Sequence, residues 1–382
     1  MPKVCWLCEY PTLNGGERSL LATACGLRRE GFEIACIAPS NGPLAAELQS
    51  RDIDHLPLDF HDAGKRLPGE ALRGRLATAL LRCRPDVLHA NSLSMGRLAG
   101  PVVADLGLPG IAHLRDIMRL SRRAIVDLNR NDRLLAVSHA TREYHLVQGF
   151  EAARTHVLYN GVDLDRFRPR QPKGYLHREL SLPGDARLVG TIGQIVQRKG
   201  IETLVAAARR VVAKHDRVHF LLVGSRYSKK AEALRYEQDL RLAFSTGKLA
   251  GRAHLLGLRP DVDRVLGELT ILVHAARQEP LGRVLLEAAA SGTPVVATNV
   301  GGTAEIFPSQ SGTAMLVPRD DPQTMAAAIG TLLTSKARRK ALGKAARLRA
   351  EALFNIEAAT TGLARHYRQV ISRRQDDSPI RR

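Results

Sequence analysis

Residues 279–299 read E-P-L-G-R-V-L-L-E-A-A-A-S-G-T-P-V-V-A-T-N, and Val300 leads on to the glycine pair Gly301 and Gly302. The order is a loop carboxylate, a helix start, a second carboxylate on that helix, a glycine turn and an apolar strand. Pro280 and Gly282 suit the first turn of a helix, where backbone N–H groups lack partners and the dipole end is positive. A diphosphate can sit at such a terminus. A helix beginning near Leu281 carries Glu287 two turns in, about 9 Å along the axis.

The same alternation of short apolar runs and helical stretches extends through the chain, which is the pattern of parallel sheets with helices on both faces. In the first half it predicts strands at Lys3–Cys8, Glu33–Ala38, Val87–Ala90, Gly110–Leu114 and Leu134–Ser138. Helices are predicted at Glu17–Arg29, Leu72–Arg82 and Ser92–Asp105. Pro and charge interrupt the pattern at F-R-P-R-Q-P-K-G, Phe167–Gly174, which marks a boundary. It restarts with strands at Leu188–Ile192, Phe220–Val223, His254–Leu256, Ile271–His274 and Val295–Thr298. Residues 321–373 read as helical. The expected fold is α/β, with two doubly wound Rossmann-like domains at 1–170 and 171–355, facing each other across a cleft at the carboxyl ends of their strands. Residues 356–382 make a last helix and a frayed basic tail.

The 382 residues suffice for two cores, and an apolar fraction of 44% excludes a disordered chain. No apolar run reaches the roughly 18 residues of a membrane span. The start, M-P-K-V-C-W-L-C-E-Y, is too short an apolar stretch for a signal peptide and reads as the first strand of a cytoplasmic protein. All five cysteines fall in the first quarter of the chain. Cys5 and Cys8 point to opposite faces of a strand and no second pair follows, so buried free thiols are expected rather than a metal or disulfide site. Net charge is +19, and residues 171–382 hold 34 Lys and Arg against 19 Asp and Glu. Such a field attracts polyanions: lipid headgroups, acidic polysaccharide or nucleic acid. Aromatics at 4% leave little for base stacking, and no helix-turn-helix or zinc signature is present, so nucleic acid is not the expected partner.

Glu279–Glu287, followed by S-G-T-P-V-V-A, resembles the E-x7-E element of retaining glycosyltransferases, in particular family 4 of the GT-B fold. The resemblance implies that Glu287 holds the ribose of a nucleotide sugar and that Glu279 lies beside the donor sugar. Four further motifs match in order. N-G-G-E-R-S-L after the first strand places Gly15 and Gly16 against the donor phosphate. I-A-H-L-R-D places His113, a donor-sugar contact, at a strand end, with Arg115 and Asp116 able to pair with each other. Y-N-G-V-D-L-D-R-F, Tyr159–Phe167, is a hinge into the second domain. G-Q-I-V-Q-R-K-G places the phosphate-binding Lys199 beside a glycine turn. Here the chain departs from the family, which has Arg where this sequence has Gln194, so one of two expected cations is missing; either Arg198 or Arg283 compensates, or activity is lower or acceptor-dependent. Gly282 opens the helix that meets the diphosphate, and the backbone at Gly302 and Thr303, ahead of Glu305, touches the donor. In the resembled fold the last helix crosses back to the first domain.

The implied reaction transfers a sugar from a nucleoside diphosphate sugar, UDP or GDP, to a hydroxyl of a glycan or lipid-linked acceptor with retention at the anomeric carbon, in bacterial cell-surface polysaccharide or lipopolysaccharide synthesis. Glu279, His113 and Lys199 are the expected catalytic residues. No metal or other cofactor is implied. R-D-I-M-R-L-S-R-R-A-I-V-D-L, Arg115–Leu128, mixes Arg with Met, Leu and Ile; it either lies on anionic headgroups at the inner face of the cytoplasmic membrane or packs as an ordinary amphipathic helix. A nucleotide-sugar 2-epimerase of the same fold, or a non-catalytic polyanion-binding or partner protein motivated by Gln194, are the competing readings.

Overall fold

A strand buried on both faces must be apolar at every position, and Trp6 and its neighbours meet that condition. In the computed structural model, which describes residues 1–62 and 64–376, Lys3–Leu7 forms β1 at the centre of a parallel sheet. Cys5 and Leu7 enter one core with Ala35, Ile37, Leu88, Ala90, Ala112 and Leu114. Val4, Trp6 and Cys8 enter the opposite core with Ile34, Cys36, Ile111 and Leu135. This period of two is what doubly covered parallel sheets require. It separates Cys5 from Cys8 as their spacing predicts, and all five cysteines are free, Cys25 alone being exposed.

The remaining strands of this unit are β2 (Glu33–Ala38), β3 (Asp54–Pro57), the hairpin β4 (His61–Asp62) and β5 (Lys65–Arg66), β6 (Val87–Ala90), β7 (Gly110–Leu114), β8 (Arg133–Ala136) and β9 (Thr155–Val157). The seven-stranded sheet has the order β3-β2-β1-β6-β7-β8-β9. Its direction of growth reverses between β1 and β6, so a crevice opens at their carboxyl ends. The C-terminal helix Ile356–Asp376 completes the second core with Leu363, Ala364, Tyr367 and Val370.

The second unit repeats the plan with β10 (Arg187–Ile192), β11 (Val218–Val223), β12 (Ala253–Gly257), β13 (Ile271–His274), β14 (Val295–Thr298) and β15 (Met315–Val317), in the order β12-β11-β10-β13-β14-β15. Its reversal lies between β10 and β13. The helices Ile201–Val212 and Pro322–Thr334 cover one face with Leu204, Ala208, Val211, Met325, Ile329 and Leu332.

Several sequence expectations change. The chain divides into Met1–Gly161 with the segment from Ile356, and Val162–Asn355, so the first crossing precedes the Pro-rich stretch. That stretch is tied inside the second unit, where the amides of Lys173 and Gly174 donate to the Glu268 carboxylate at 2.7 and 2.9 Å. The single helix expected over Glu17–Arg29 is two, Gly15–Ala22 and Ala24–Arg29. The break is at Thr23, whose hydroxyl and amide both turn back to the Leu20 carbonyl. The expected frayed tail, beyond residue 376, lies outside the described residues.

Two glycines separate packing from propensity. A Cβ on Gly100, in the helix Leu93–Leu106, would run into the Asp127 carbonyl oxygen of the neighbouring helix, whereas one on Gly74 would meet nothing within 4 Å. Gly100→Ala should lower the unfolding free energy by about 2–3 kcal/mol because backbone must move. Gly74→Ala should raise it by about 0.5–1 kcal/mol. Urea titration of both variants checks this, and equal effects would refute the assigned packing.

Candidate active site

In the second unit the site begins where β10 ends. Beyond Gly193 the loop makes one 3-10 turn, Gln197–Lys199, closed by Gly200 at φ 59°. A Cβ at Gly200 would run into the Ala275 carbonyl, so glycine there lets this loop lie directly on the segment following β13. The Arg277 amide donates to the Arg198 carbonyl at 2.8 Å and fixes the two loops together.

This contact brings Lys199 and Glu279, two of the residues expected to be catalytic, into one cluster. Lys199 Nζ lies 2.5 Å from Glu279 Oε2, and His274 Nε2 lies 2.6 Å from the same oxygen. Glu279 is 5% exposed and His274 3%. Burial alone would push the Glu279 carboxyl up; the Lys199 charge and then the His274 hydrogen bond outweigh it and hold the group well below the usual carboxylate range. Burial, then the Lys199 charge, depresses His274, so it is neutral and donates its Nε2–H to the carboxylate. The positive charge of Arg198 acts on both groups. Gln194, directly after Gly193, is half-buried and brings no charge.

Glu287 is held separately. The helix runs Arg283–Ala290, with Gly282 as its N-cap at φ 101°. It starts two residues later than the sequence implies, because Pro280 and Leu281 are buried in the preceding turn. Glu287 is therefore one turn in, about 6 Å along the axis rather than 9 Å. Its Oε1 lies 2.9 Å from Arg283 Nε, so the Arg283 cation is directed at Glu287.

The backbone at Gly302 and Thr303 does not match its expected role. The Gly302 amide donates to the Glu279 carbonyl at 3.0 Å and the Thr303 amide to the Val300 carbonyl at 3.1 Å. Both are consumed in shaping the turn that carries Glu279. The polar group left at this point is the buried Thr303 hydroxyl, Oγ1, which has no hydrogen-bond partner among the described residues.

In the first unit Gly15 and Gly16 open the helix Gly15–Ala22, where the Asn14 amide donates to Glu17 Oε2 at 3.1 Å. A Cβ on Gly16 would sit 3.2 Å from Arg115 Cδ, while Gly15 faces open space. His113, near the end of β7, is 3% exposed. Arg115 and Asp116, able to pair by sequence, form no ion pair with each other among the described residues. Arg115 Nε donates to the Asn91 side-chain oxygen at 3.0 Å, Nη1 to the Asn160 side-chain oxygen at 2.8 Å, and Nη2 to His113 Nδ1 at 3.1 Å. Asn160 of the supposed hinge thus belongs to the His113 site. Burial brings the Arg115 guanidinium down to about 10 and holds His113 well below neutrality, with the Arg115 charge adding to the latter.

Asn91 and His274, which touch the expected site residues, were missed by motif reading, and Arg115 and Asn160 were read in their motifs without this role. The available signal was positional: Asn91 follows β6, Arg115 follows β7 and His274 ends β13, each a polar residue at the carboxyl end of a buried strand.

Residues 13–166 match the family described as Glycosyltransferase Family 4, and residues 186–335 match Glycosyl transferases group 1. The GDP-mannose-dependent alpha-mannosyltransferase of Mycobacterium tuberculosis (strain CDC 1551 / Oshkosh) is 28% identical over 327 residues, 81% of either chain. The enzyme of the same name from Mycolicibacterium smegmatis (strain ATCC 700084 / mc(2)155) is 27% identical over 383 residues, 95% of this chain and 96% of that one. The crystal structure of Anabaena HepE in complex with UDP and glucose matches with a TM-score of 0.85 over 96% of this chain and 99% of its own, at 22% identity, a likeness of fold. Two matched families spanning both halves, on two parallel α/β sheets, establish that this chain belongs to the family 4, group 1 glycosyltransferases of the GT-B fold.

Proposed function

We propose that this glycosyltransferase takes its sugar from a UDP or GDP sugar and passes it, with retention at the anomeric carbon, to a hydroxyl of a glycan or lipid-linked acceptor in bacterial cell-surface polysaccharide or lipopolysaccharide synthesis. The observation that carries this reading is the buried Lys199–Glu279–His274 cluster at the reversal point between β10 and β13. A lysine held on a carboxylate has a ready anionic alternative when a diphosphate arrives. Lys199 then stabilises the charge that grows on the leaving group, assisted by Arg198 in the position's vicinity where the family's arginine is replaced by Gln194.

Glu279, ionised and fixed, meets the positive charge that develops on the sugar, while Glu287, steadied by Arg283, accepts from ribose hydroxyls. In the first unit Gly15, which faces open space, and Gly16 are assigned to the phosphates, and His113 to the sugar. The relatives named for GDP-mannose support a guanine nucleotide, and the HepE complex supports UDP as the alternative.

A lipid-linked acceptor is supported by the surface around residues 116–126. The helix here is short, Arg122–Asn129, and buries Ala124, Asp127 and Leu128. Its outer side and adjoining segments present Met118 at 49% exposure, Val126 at 61% and Val147 at 89%, beside the exposed Arg119, Arg122 and Arg123. Gln148 donates to the Met118 carbonyl and keeps these segments together. Exposed apolar side chains among arginines suit an anionic bilayer surface. No helix among the described residues is long and apolar enough to cross a membrane.

Calorimetric titration of UDP and GDP should give binding of one nucleotide, weakened at least about tenfold in Glu287→Ala by loss of charge-assisted hydrogen bonds; equal binding by both proteins would sink the ribose role. Lys199→Ala should lower kcat/KM for the matched nucleotide sugar by roughly 100- to 1000-fold. Product from the donor alone, without acceptor, would instead indicate epimerisation. Sedimentation with vesicles containing anionic lipid should retain the wild type and release Arg122→Ser/Arg123→Ser, with retention falling as salt rises; no retention at low salt would remove the membrane proposal.

A further inference from the structure

Behind His113 the first unit contains a file of four aromatic side chains from four elements. Trp6 of β1 donates its indole N–H to the Tyr367 hydroxyl at 3.3 Å. Tyr367, on the helix Ile356–Asp376, lies 2.6 Å from His89 Nδ1. His89 Nε2, from β6, lies 3.2 Å from His113 Nδ1 on β7. Trp6, Tyr367 and His89 are wholly buried. The imidazole centroids are 5.3 Å apart with ring planes 21° from parallel. With nitrogens at 3.2 Å, those nitrogens lie close to the line joining the centroids, which is the edge-to-edge geometry of a ring–ring hydrogen bond.

Counting protons along the file assigns every hydrogen. Indole N–H can only donate, so the Tyr367 oxygen accepts from Trp6, and since His89 Nδ1 is the one acceptor within reach of the hydroxyl among the described residues, its single hydrogen goes there. His89 therefore carries its proton on Nε2 and donates it to His113 Nδ1. A second, independent count gives the same result. Arg115 has no acceptor, so its Nη2–H at 3.1 Å also requires a bare His113 Nδ1. The remaining nitrogen, Nε2, is left as the protonated one. It is buried and has no hydrogen-bond partner among the described residues.

We propose that Tyr367 and His89 are positioning residues that lock His113 as a neutral Nε2–H donor aimed at an oxygen of the bound ligand. That this oxygen belongs to the transferred sugar rests on the function proposed above. The role excludes His113 as a general base, since Nδ1 is occupied by two donors and Nε2 already holds its proton. Among the groups facing the two rings from packed elements, Arg115 and His366 both oppose protonation. Burial, followed by the Arg115 charge, takes His89 down to about 3 and His113 well below its usual value. The C-terminal helix, last in sequence, thereby sets a proton at the end of β7.

Nitrogen-15 NMR of the histidine rings reads the tautomers without substrate, with signals assigned through His89→Gln and His113→Gln. In the wild type both rings should show a protonated Nε2 and a bare Nδ1, and neither should take up a second proton between about pH 5 and pH 8, a range that spans the ordinary histidine value. Tyr367→Phe keeps the ring and removes the hydroxyl; His89 should then lose its single tautomer, and sugar transfer should fall about fivefold, the worth of one buried hydrogen bond. A wild-type His113 protonated on Nδ1, or one that titrates near neutrality, overturns the proposal even if Tyr367→Phe fails to fold. An unmoved His89 signal in a folded Tyr367→Phe protein overturns it as well. Absence of transferase activity with the NMR pattern intact would count against the functional reading alone.

Discussion

The carboxylate of Glu279 is the constraint around which the second unit is built. Taking an ionised carboxyl out of water costs several kcal/mol unless the interior supplies partners. Here it supplies two on one oxygen, a cation from the loop after β10 and a neutral imidazole from the end of β13. Meeting that demand dictates much of the local backbone. Gly200 is required so that the lysine loop can lie against Ala275, and the turn through Gly301 and Gly302 wraps the Glu279 backbone and uses its carbonyl. Buried ion pairs contribute little net stability, and a buried cation held on a carboxylate in a strand-end crevice is the arrangement on which the proposed function rests.

How much of this was legible follows from the physical origin of each feature. The central strands were readable because they are buried on both faces, and a continuous apolar run has few alternatives; V-L-H-A, G-I-A-H-L and I-L-V-H were bounded correctly or nearly so. The edge strands D-H-L-P, T-H-V and M-L-V were missed because an edge is short and half solvated, and its pairing comes from the neighbour rather than from its own pattern. Glu279, Glu287 and Lys199 stood out because local chemistry surrounds them with glycine and proline. His89 and His274 did not, because each sits inside an apolar run where a histidine reads as core, and their partners lie 278 and 5 residues away. Arg115 was visible, but its neighbour Asp116 offered a nearer pairing than the fold uses. Three-dimensional closure lets Asn91 and Asn160 outcompete it.

The two units handle polarity in opposite ways. In the second, charge is concentrated and compensated, so the cluster of Lys199, Glu279 and neutral His274 sums to zero. In the first, the polar file is neutral from Trp6 to His113, and a single guanidinium at its end is spread over three acceptors, Asn91, Asn160 and His113. The formal +19 of the chain is thus not a property of these clusters. Much of it lies on surfaces such as the helix Lys336–Leu353, where Lys336, Lys340 and Lys344 are exposed one turn apart.

Proton accounting then bears on the proposed chemistry. A sugar acceptor hydroxyl must lose its proton as it attacks. His113 cannot take it, because its free nitrogen already bears a hydrogen. His274 donates its Nε2–H to Glu279. Glu279 is held so far below the usual carboxylate range that it is a poor base, and its Oε2 is already shared by two donors. Under the proposed function, with these three groups set aside, a phosphate oxygen of the departing diphosphate is a base available to the reaction. That oxygen leaves from the face on which the donor bond stood, so the hydroxyl it deprotonates must approach from the same side. On this reading the same-face approach that the proposed retention requires needs no proton acceptor among His113, His274 and Glu279.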